Sequence, residues 1–190
     1  MAEKKGRTIS RASHPELTLR TTVRRGDDEL VRDIVASTGF FRPDEIAIAV
    51  ELVEERLRIG LASGYHFIFA EKSGRMLGYS CYGPIPLTLH SYDIYWMAVR
   101  KEEQGAGIGK MLLERSEAAI GELGGRRSYI ETSSKEMYNR TRRFYEHCGY
   151  RAEATLREFY SPGDDKVIYV KAFGQEKESG IREEGKKVRR

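Results

Sequence analysis

Apolar residues recur along the chain in two rhythms, one of period two and one near 3.6, and their succession lays out the elements. Leu17–Val23 alternates apolar and polar residues, as a half-buried strand does. Gly26-Asp27-Asp28-Glu29 opens a helix with carboxylates where the helix dipole favours them. Leu30, Ile34 and Val35 form its apolar side, and Gly39 follows its end. Pro43-Asp44-Glu45 starts a second helix, since proline suits a first turn. Ile46, Val50, Val53 and Leu57 give it one apolar face, and Gly60 closes it. Tyr65–Ala70 and Met76–Tyr82 read as a strand hairpin through Lys72-Ser73-Gly74-Arg75. Gly83-Pro84-Ile85-Pro86 breaks regular structure, because two prolines remove two donors. Tyr92–Val99, aromatic and β-branched, predicts a further long strand.

In the second half, Ile108, Leu112, Ala119 and Leu123 share one side of a helix over Ile108–Leu123, which Gly124-Gly125 stops. Ser128–Thr132 reads as a strand. Ser133-x-x-Glu136 has the form of a capping box. The helix behind it carries Met137, Thr141, Phe144 and Cys148 on one face and ends at Gly149. Arg151–Phe159 and Val167–Phe173 form a closing hairpin over Ser161-Pro162-Gly163-Asp164-Asp165. The order β-α-α-β-β-β-α-β-α-β-β predicts one α/β domain with a mixed sheet: its hairpins antiparallel, its strand–helix–strand crossover parallel.

Charge refines the boundaries. Residues 1–16 hold four basic and two acidic side chains, and 174–190 hold six basic and four acidic. The formal charge of +4 therefore resides in the two ends, and 17–173 is neutral. Both ends lack hydrophobic periodicity and read as disordered tails flanking a domain over 17–173. A nucleic-acid binder usually carries its excess charge on the folded face that docks, so the neutral domain argues against that partner. No stretch approaches the roughly 20 apolar residues of a membrane span, and the charged start has no apolar run behind it to make a secretory signal. Cys81 and Cys148 suggest no disulfide framework, which favours a reducing cytoplasm. They and the four histidines show no metal-ligand spacing. A homodimer is left open.

The sharpest chemical signal is Gln104-Gly105-Ala106-Gly107-Ile108-Gly109-Lys110, placed between a strand and a helix. Glycines let successive backbone N–H groups approach an anion, and a helix N-terminus adds a favourable dipole. A phosphate site is the physical reading; a tight strand–helix turn with no ligand is the alternative. A Walker A loop is excluded by Gln104 and Met111, which stand where Gly and Ser or Thr are required. Gly105, Gly107 and Gly109 are spaced Gly-x-Gly-x-Gly rather than Gly-x-Gly-x-x-Gly and follow a late strand, which disfavours a dinucleotide fold.

Gln104-x-x-Gly107-x-Gly109 resembles the pyrophosphate loop of the GNAT superfamily of N-acyltransferases, Gln/Arg-x-x-Gly-x-Gly/Ala. Met97-Ala98-Val99 is similar to that superfamily's strand end before the loop. Phe144-Tyr145-Glu146-His147-Cys148-Gly149-Tyr150 resembles its Leu/Phe-Tyr-x-x-x-Gly-Phe/Tyr segment. The element order agrees from Leu17 to Phe173. The resemblance implies a mostly antiparallel sheet of six to seven strands with helices on both faces. It implies transfer of an acetyl group from acetyl-CoA to a primary amine, of a small molecule or amino acid before a protein or aminoacyl-tRNA. A CoA-binding regulatory module without catalysis is the contrasting class.

Residue by residue, the resemblance assigns the CoA pyrophosphate to the amides of Gly105, Ala106, Gly107, Ile108, Gly109 and Lys110 with Gln104 beside them. It assigns the pantetheine arm to the backbone of Met97, Ala98 and Val99, as an added strand, one amide serving as oxyanion donor. Tyr145 becomes the general acid toward the CoA thiolate. Glu131 is the leading general base, with Asp93 and Tyr95 behind it, since Tyr129, Glu131 and Ser133 share one strand face; a Glu131–Arg ion pair on the sheet surface is the competing reading. Phe40, Phe41, Tyr82, His90 and Tyr92 would wall the acceptor side, although core packing suits the Phe residues. One departure stands out: the superfamily's frequent Asn seven residues before the tyrosine is Tyr138 here, and its Ala four before is Thr141. Asn139 is one step out of phase.

Overall fold

In the computed structural model, which describes residues 17–173, seven strands form one sheet in the order β1-β2-β3-β4-β5-β7-β6. The strands are β1 (Thr18–Arg20), β2 (His66–Lys72), β3 (Arg75–Pro84), β4 (Ser91–Val99), β5 (Arg127–Ser133), β6 (Arg151–Ser161) and β7 (Asp164–Ala172). The helices are α1 (Asp27–Thr38), α2 (Pro43–Ile59), α3 (Ile108–Glu122) and α4 (Asn139–His147). Every neighbouring pair is antiparallel except β4–β5. The tails expected at 1–16 and 174–190 lie outside the described residues.

Alternation along β2 shows why the sheet is covered twice. Phe67 and Phe69 point to one face and Ile68 and Ala70 to the other, and all four are buried. The first face packs on α1 and α2 through Val31, Ile34, Val35, Ala49 and Val53. The second packs on α3 and α4 through Leu112, Leu113, Ile120 and Tyr145. Two expected core residues are displaced: Leu30 and Leu57 lie outward, and Val31 and Ala49 are buried instead. The helix side that faces the sheet is centred one position away from the one the leucines marked. Strand β1 is shorter than its alternation suggests. Arg20 turns inward to hold Asp27 at 2.8 Å and Glu71 at 2.6 Å, which ties β1, α1 and β2 together.

The capping box expected at Ser133 is not formed. Its hydroxyl donates to Asp164 of the hairpin at 2.5 Å and accepts the Lys135 amide at 3.0 Å. A short 3-10 turn over Glu136–Tyr138 then intervenes before α4. A box half does form at α2, where the Glu45 carboxylate accepts the Arg42 amide at 2.8 Å.

Tyr79 is fully buried between the sheet and the first helix pair, and its hydroxyl has no hydrogen-bond partner. A polar atom dried without a partner costs on the order of 1–3 kcal/mol. Tyr79→Phe should therefore raise the thermal midpoint, equivalent to about 1 kcal/mol, in a calorimetric melt. A lower midpoint would show that the hydroxyl is satisfied in solution.

Candidate active site

The site arises from a defect in the sheet. Strands β4 and β5 pair only at Ser91↔Arg127, Tyr92↔Ser128 and Asp93↔Tyr129. Beyond Asp93, β4 continues to Val99 with no partner on that side, while β5 stays paired to β7 throughout. One cause is visible in the β3–β4 register. Cys81 faces Trp96 but Tyr82 faces Ile94, so Tyr95 is an extra residue bulged out of β4. A bulge bends its strand and sharpens the local twist, here where β4 leaves β5. The gap leaves the β4 edge unpaired at Met97, Ala98 and Val99, the stretch expected to receive an extended ligand arm.

The glycine loop stands at the mouth of this gap. Gly105 and Gly107 hold φ of 86° and 84°, a region that disfavours side chains. Gly107 is the N-terminal flank of α3, and the first backbone bond of the helix runs from the Met111 amide to the Gly107 carbonyl. The six amides from Gly105 through Lys110 thus have no backbone acceptor. The Gln104 side chain folds back to donate to the Val99 carbonyl at 3.2 Å, joining the loop to the β4 end. Lys110 lies outward beside Glu114 at 3.7 Å. Free amides at a helix N-terminus, with glycine at every second position of the loop, suit a phosphate group. The residues present therefore fit the pyrophosphate of a coenzyme A thioester.

Tyr145 sits on α4, across the gap from β4. It is 8% exposed, with its ring centroid 5.5 Å from Phe144, 6.2 Å from Tyr150 and 5.9 Å from Tyr169. Burial pushes its phenol up, with the neighbouring Cys148 adding to the effect. Phe144 also lines the route between helices: a Cβ at Gly109 would stand 3.6 Å from its ring and 3.8 Å from the Val99 side chain. Tyr150 is held behind Tyr145 by a 2.7 Å bond to Ser128.

The carboxylates meet on the opposite face. Asp93, Ile94, Tyr95, Tyr129 and Glu131 line a small cleft where β4 and β5 part. Asp93 is half-buried, and burial, together with the charge of Glu131, pushes its carboxyl up to about 6, while Lys166 opposes the rise. Tyr95 is pushed up to about 12, mainly by burial, and donates to the Pro84 carbonyl at 3.2 Å. Glu131 pairs with Lys166 of β7 at 2.5 Å. Its partner is a lysine from the adjacent strand, not an arginine. Sequence reasoning did not find Lys166; its only local signal is an inward cation on the strand beside Glu131.

Of the expected acceptor wall, Phe40 packs on Tyr138 with centroids 5.9 Å apart, so the residue in the usual asparagine position is part of the rim. Phe41 packs on Trp96. Tyr82 is buried in the core, and His90 hydrogen-bonds the Gly124 carbonyl at 3.0 Å, away from the cleft. Asn139 accepts from Arg142 within α4. Among the described residues no group of side chains is arranged to hold a metal ion, and no helix is long and apolar enough to cross a membrane.

Comparison with known proteins bears on the family and the fold. Residues 63–152 match the model of the acetyltransferase (GNAT) domain. A chain of Desulfovibrio desulfuricans assigned to the GNAT family of acetyltransferases is 47% identical. It superposes with a TM-score of 0.82 over 83% of this chain and 99% of its own length. An uncharacterized N-acetyltransferase of Methanocaldococcus jannaschii is 33% identical over 110 residues, which is 55% of this chain and 65% of that relative. The ribosomal-protein alanine N-acetyltransferase of Escherichia coli shares the fold at 17% identity. Its TM-score is 0.67, over 85% of this chain and 98% of its own.

Proposed function

The chain belongs to the GNAT family of acetyltransferases, and from that premise we propose that it moves an acetyl group from acetyl-CoA to a primary amine of a small molecule or amino acid. The observation that carries this reading is the row of free amides from Gly105 to Lys110 at the mouth of a gap between strands. Pyrophosphate on those amides would point the pantetheine arm down the unpaired β4 edge toward Asp93, with Tyr145 on one face of the sheet and the carboxylates on the other.

The roles follow from the environments. Tyr145 stays protonated because burial raises its proton affinity, so it is the group able to donate to a departing thiolate. Asp93, pushed up to about 6, is ionised at neutral pH yet more basic than an ordinary carboxylate, which suits it to take a proton from the amine. Glu131, the sequence's first choice as base, is engaged by Lys166 and acts beside Asp93 as part of the same charged cluster. The aromatic rim of Phe40, Tyr138, Phe159 and Tyr160 suits a cationic amine, since ring faces attract cations. A cytoplasmic location is supported by two free cysteines, Cys81 and Cys148.

The test is thiol release from acetyl-CoA across a panel of amines, amino acids and peptides. Turnover with any amine supports the reading. Tight acetyl-CoA binding without turnover on any acceptor would make the chain a binding module instead. The loop has its own check. Gly107→Glu puts a side chain at a positive φ and a negative charge where the pyrophosphate is placed. Calorimetric acetyl-CoA affinity should fall by at least about 100-fold, on the order of 3 kcal/mol, in a protein whose circular dichroism is native. Retained affinity would remove the loop from the site.

A further inference from the structure

Glu131, on the acceptor face of the gap, already holds a primary amine, and that amine belongs to the protein. Lys166 is drawn inward on β7: its side chain is only 12% exposed, its Nζ is 2.5 Å from Glu131 Oε2, and it lies 3.6 Å from the centroid of Phe159. Strand register explains the placement. Ser133 pairs with Lys166 and Glu131 with Ile168, so all four side chains share the face on which Asp93 and Tyr129 meet. A carboxylate below and a ring above form a cradle for an alkylammonium ion. Lys171, the other well-packed lysine of β7, has a different setting: it is committed to Glu117 at 2.7 Å and to the Cys148 carbonyl at 2.9 Å on the α3–α4 side.

We infer that Lys166 is an internal acyl acceptor, acetylated by the chain's own active site when acetyl-CoA is bound and no external amine fills the cleft. This rests on the acetyltransferase reading above. The Lys166 ammonium gives one proton to the Asp93–Glu131 carboxylate pair, and the neutral Nζ attacks the thioester carbonyl carbon. The C–N bond forms, the C–S bond breaks, the CoA thiolate takes a proton from Tyr145, and the second proton that Nζ loses restores the Tyr145 phenol. The products are an uncharged acetyl-lysine, free CoA and one proton released to solvent through the carboxylates. The modification removes the cation that pairs with Glu131, so it changes the charge of the acceptor cleft.

The full chain is incubated with isotopically labelled acetyl-CoA and no added amine, then followed by intact mass and peptide mapping. One acetyl group per chain is expected, located at Lys166, with a rate unchanged by tenfold dilution of the protein, as an intramolecular step requires. Lys166→Arg should lose the label while its circular dichroism stays native. Tyr145→Phe, which keeps Lys166, should slow labelling by about 100-fold. The same incubation in urea controls for the intrinsic reactivity of lysine. Equal labelling of the unfolded chain, or an unlabelled Lys166 in a chain that acetylates an added amine, overturns the inference and leaves the acetyltransferase reading standing. Absence of both labelling and turnover on every amine overturns the two together.

Discussion

Tyr145→Phe is expected to lower turnover by about 10²–10⁴-fold, the usual contribution of a positioned general acid, while acetyl-CoA affinity stays at the parental value. The substitution removes one oxygen and keeps the ring against Phe144, Tyr150 and Tyr169, so packing and fold survive. An interaction made mainly in the transition state lowers kcat and kcat/KM together and leaves ground-state binding alone. Burial makes Tyr145 a weaker acid than a free phenol. It also makes the departing thiolate a stronger base, because a buried anion is costly, so the transfer stays matched. The check is stopped-flow thiol release beside calorimetric acetyl-CoA binding. Parental turnover would reduce Tyr145 to a packing residue.

The second large effect concerns Asp93 and separates function from stability. Parental kcat/KM should fall below about pH 6, where Asp93 becomes protonated and can no longer accept a proton. Asp93→Asn should cost about 10²–10⁴-fold in turnover and abolish that acidic limb. The neighbours move the limb with opposite signs. Glu131→Gln removes a negative charge that raises Asp93 and shifts the limb toward lower pH; Lys166→Gln removes a cation that lowers it and shifts the limb upward. Stability follows the same linkage. The folded carboxyl binds its proton more tightly than the unfolded one, whose ordinary value is 3.8, so parental stability declines as pH rises from about 4 to about 6. The Asn variant, which never ionises, should melt above the parent at neutral pH, with the difference vanishing below about pH 4. A variant of unchanged turnover would place the base elsewhere. A variant that melts lower at neutral pH would show that the ionised Asp93 is stabilised by the fold.

Much of this candidate site is local in sequence, and the elements that carry its local part are read directly from the chain. The glycines of Gly105–Gly109 carry their meaning in backbone conformation, and strand, loop and helix stand consecutively around them. Tyr145 is likewise read from a single helix and its closing Gly149. The acceptor side depends on register between distant segments. Nothing near Glu131 in the chain announces Lys166, which arrives through β7, and nothing near Asp93 announces the half-burial that sets its proton affinity. The bulge at Tyr95 also escaped, because an uninterrupted run of strand-forming residues from Tyr92 to Val99 carries no sign of a slipped pair. Ser133 failed as a cap for the same reason: Asp164, far along the chain, takes its hydroxyl.

The short β4–β5 pairing leaves the molecule with a seam. On one side lie β1–β4 with α1, α2 and α3; on the other, β5–β7 with α4. In the sheet the two sides are joined by three residue pairs of β4 and β5, while beneath it Leu112, Leu113 and Ile120 of α3 share one apolar cluster with Ile130, Tyr150 and Tyr169, and Lys171 reaches Glu117 of α3. Cooperative units within a fold open with their own free energies, and at this seam the core is continuous, so opening is cheapest in the backbone beyond Asp93, where β4 has no partner on the β5 side. On the proposed function, an extended ligand lying in the gap would act mechanically as a missing strand between β4 and β5. Amide hydrogen exchange in the ligand-free chain should then be fastest at the β4 edge beyond Asp93 and fall sharply there when acetyl-CoA binds. The facing stretch of β5 beyond Tyr129 should slow along with it, so occupancy of the cleft is read out as closure of the seam.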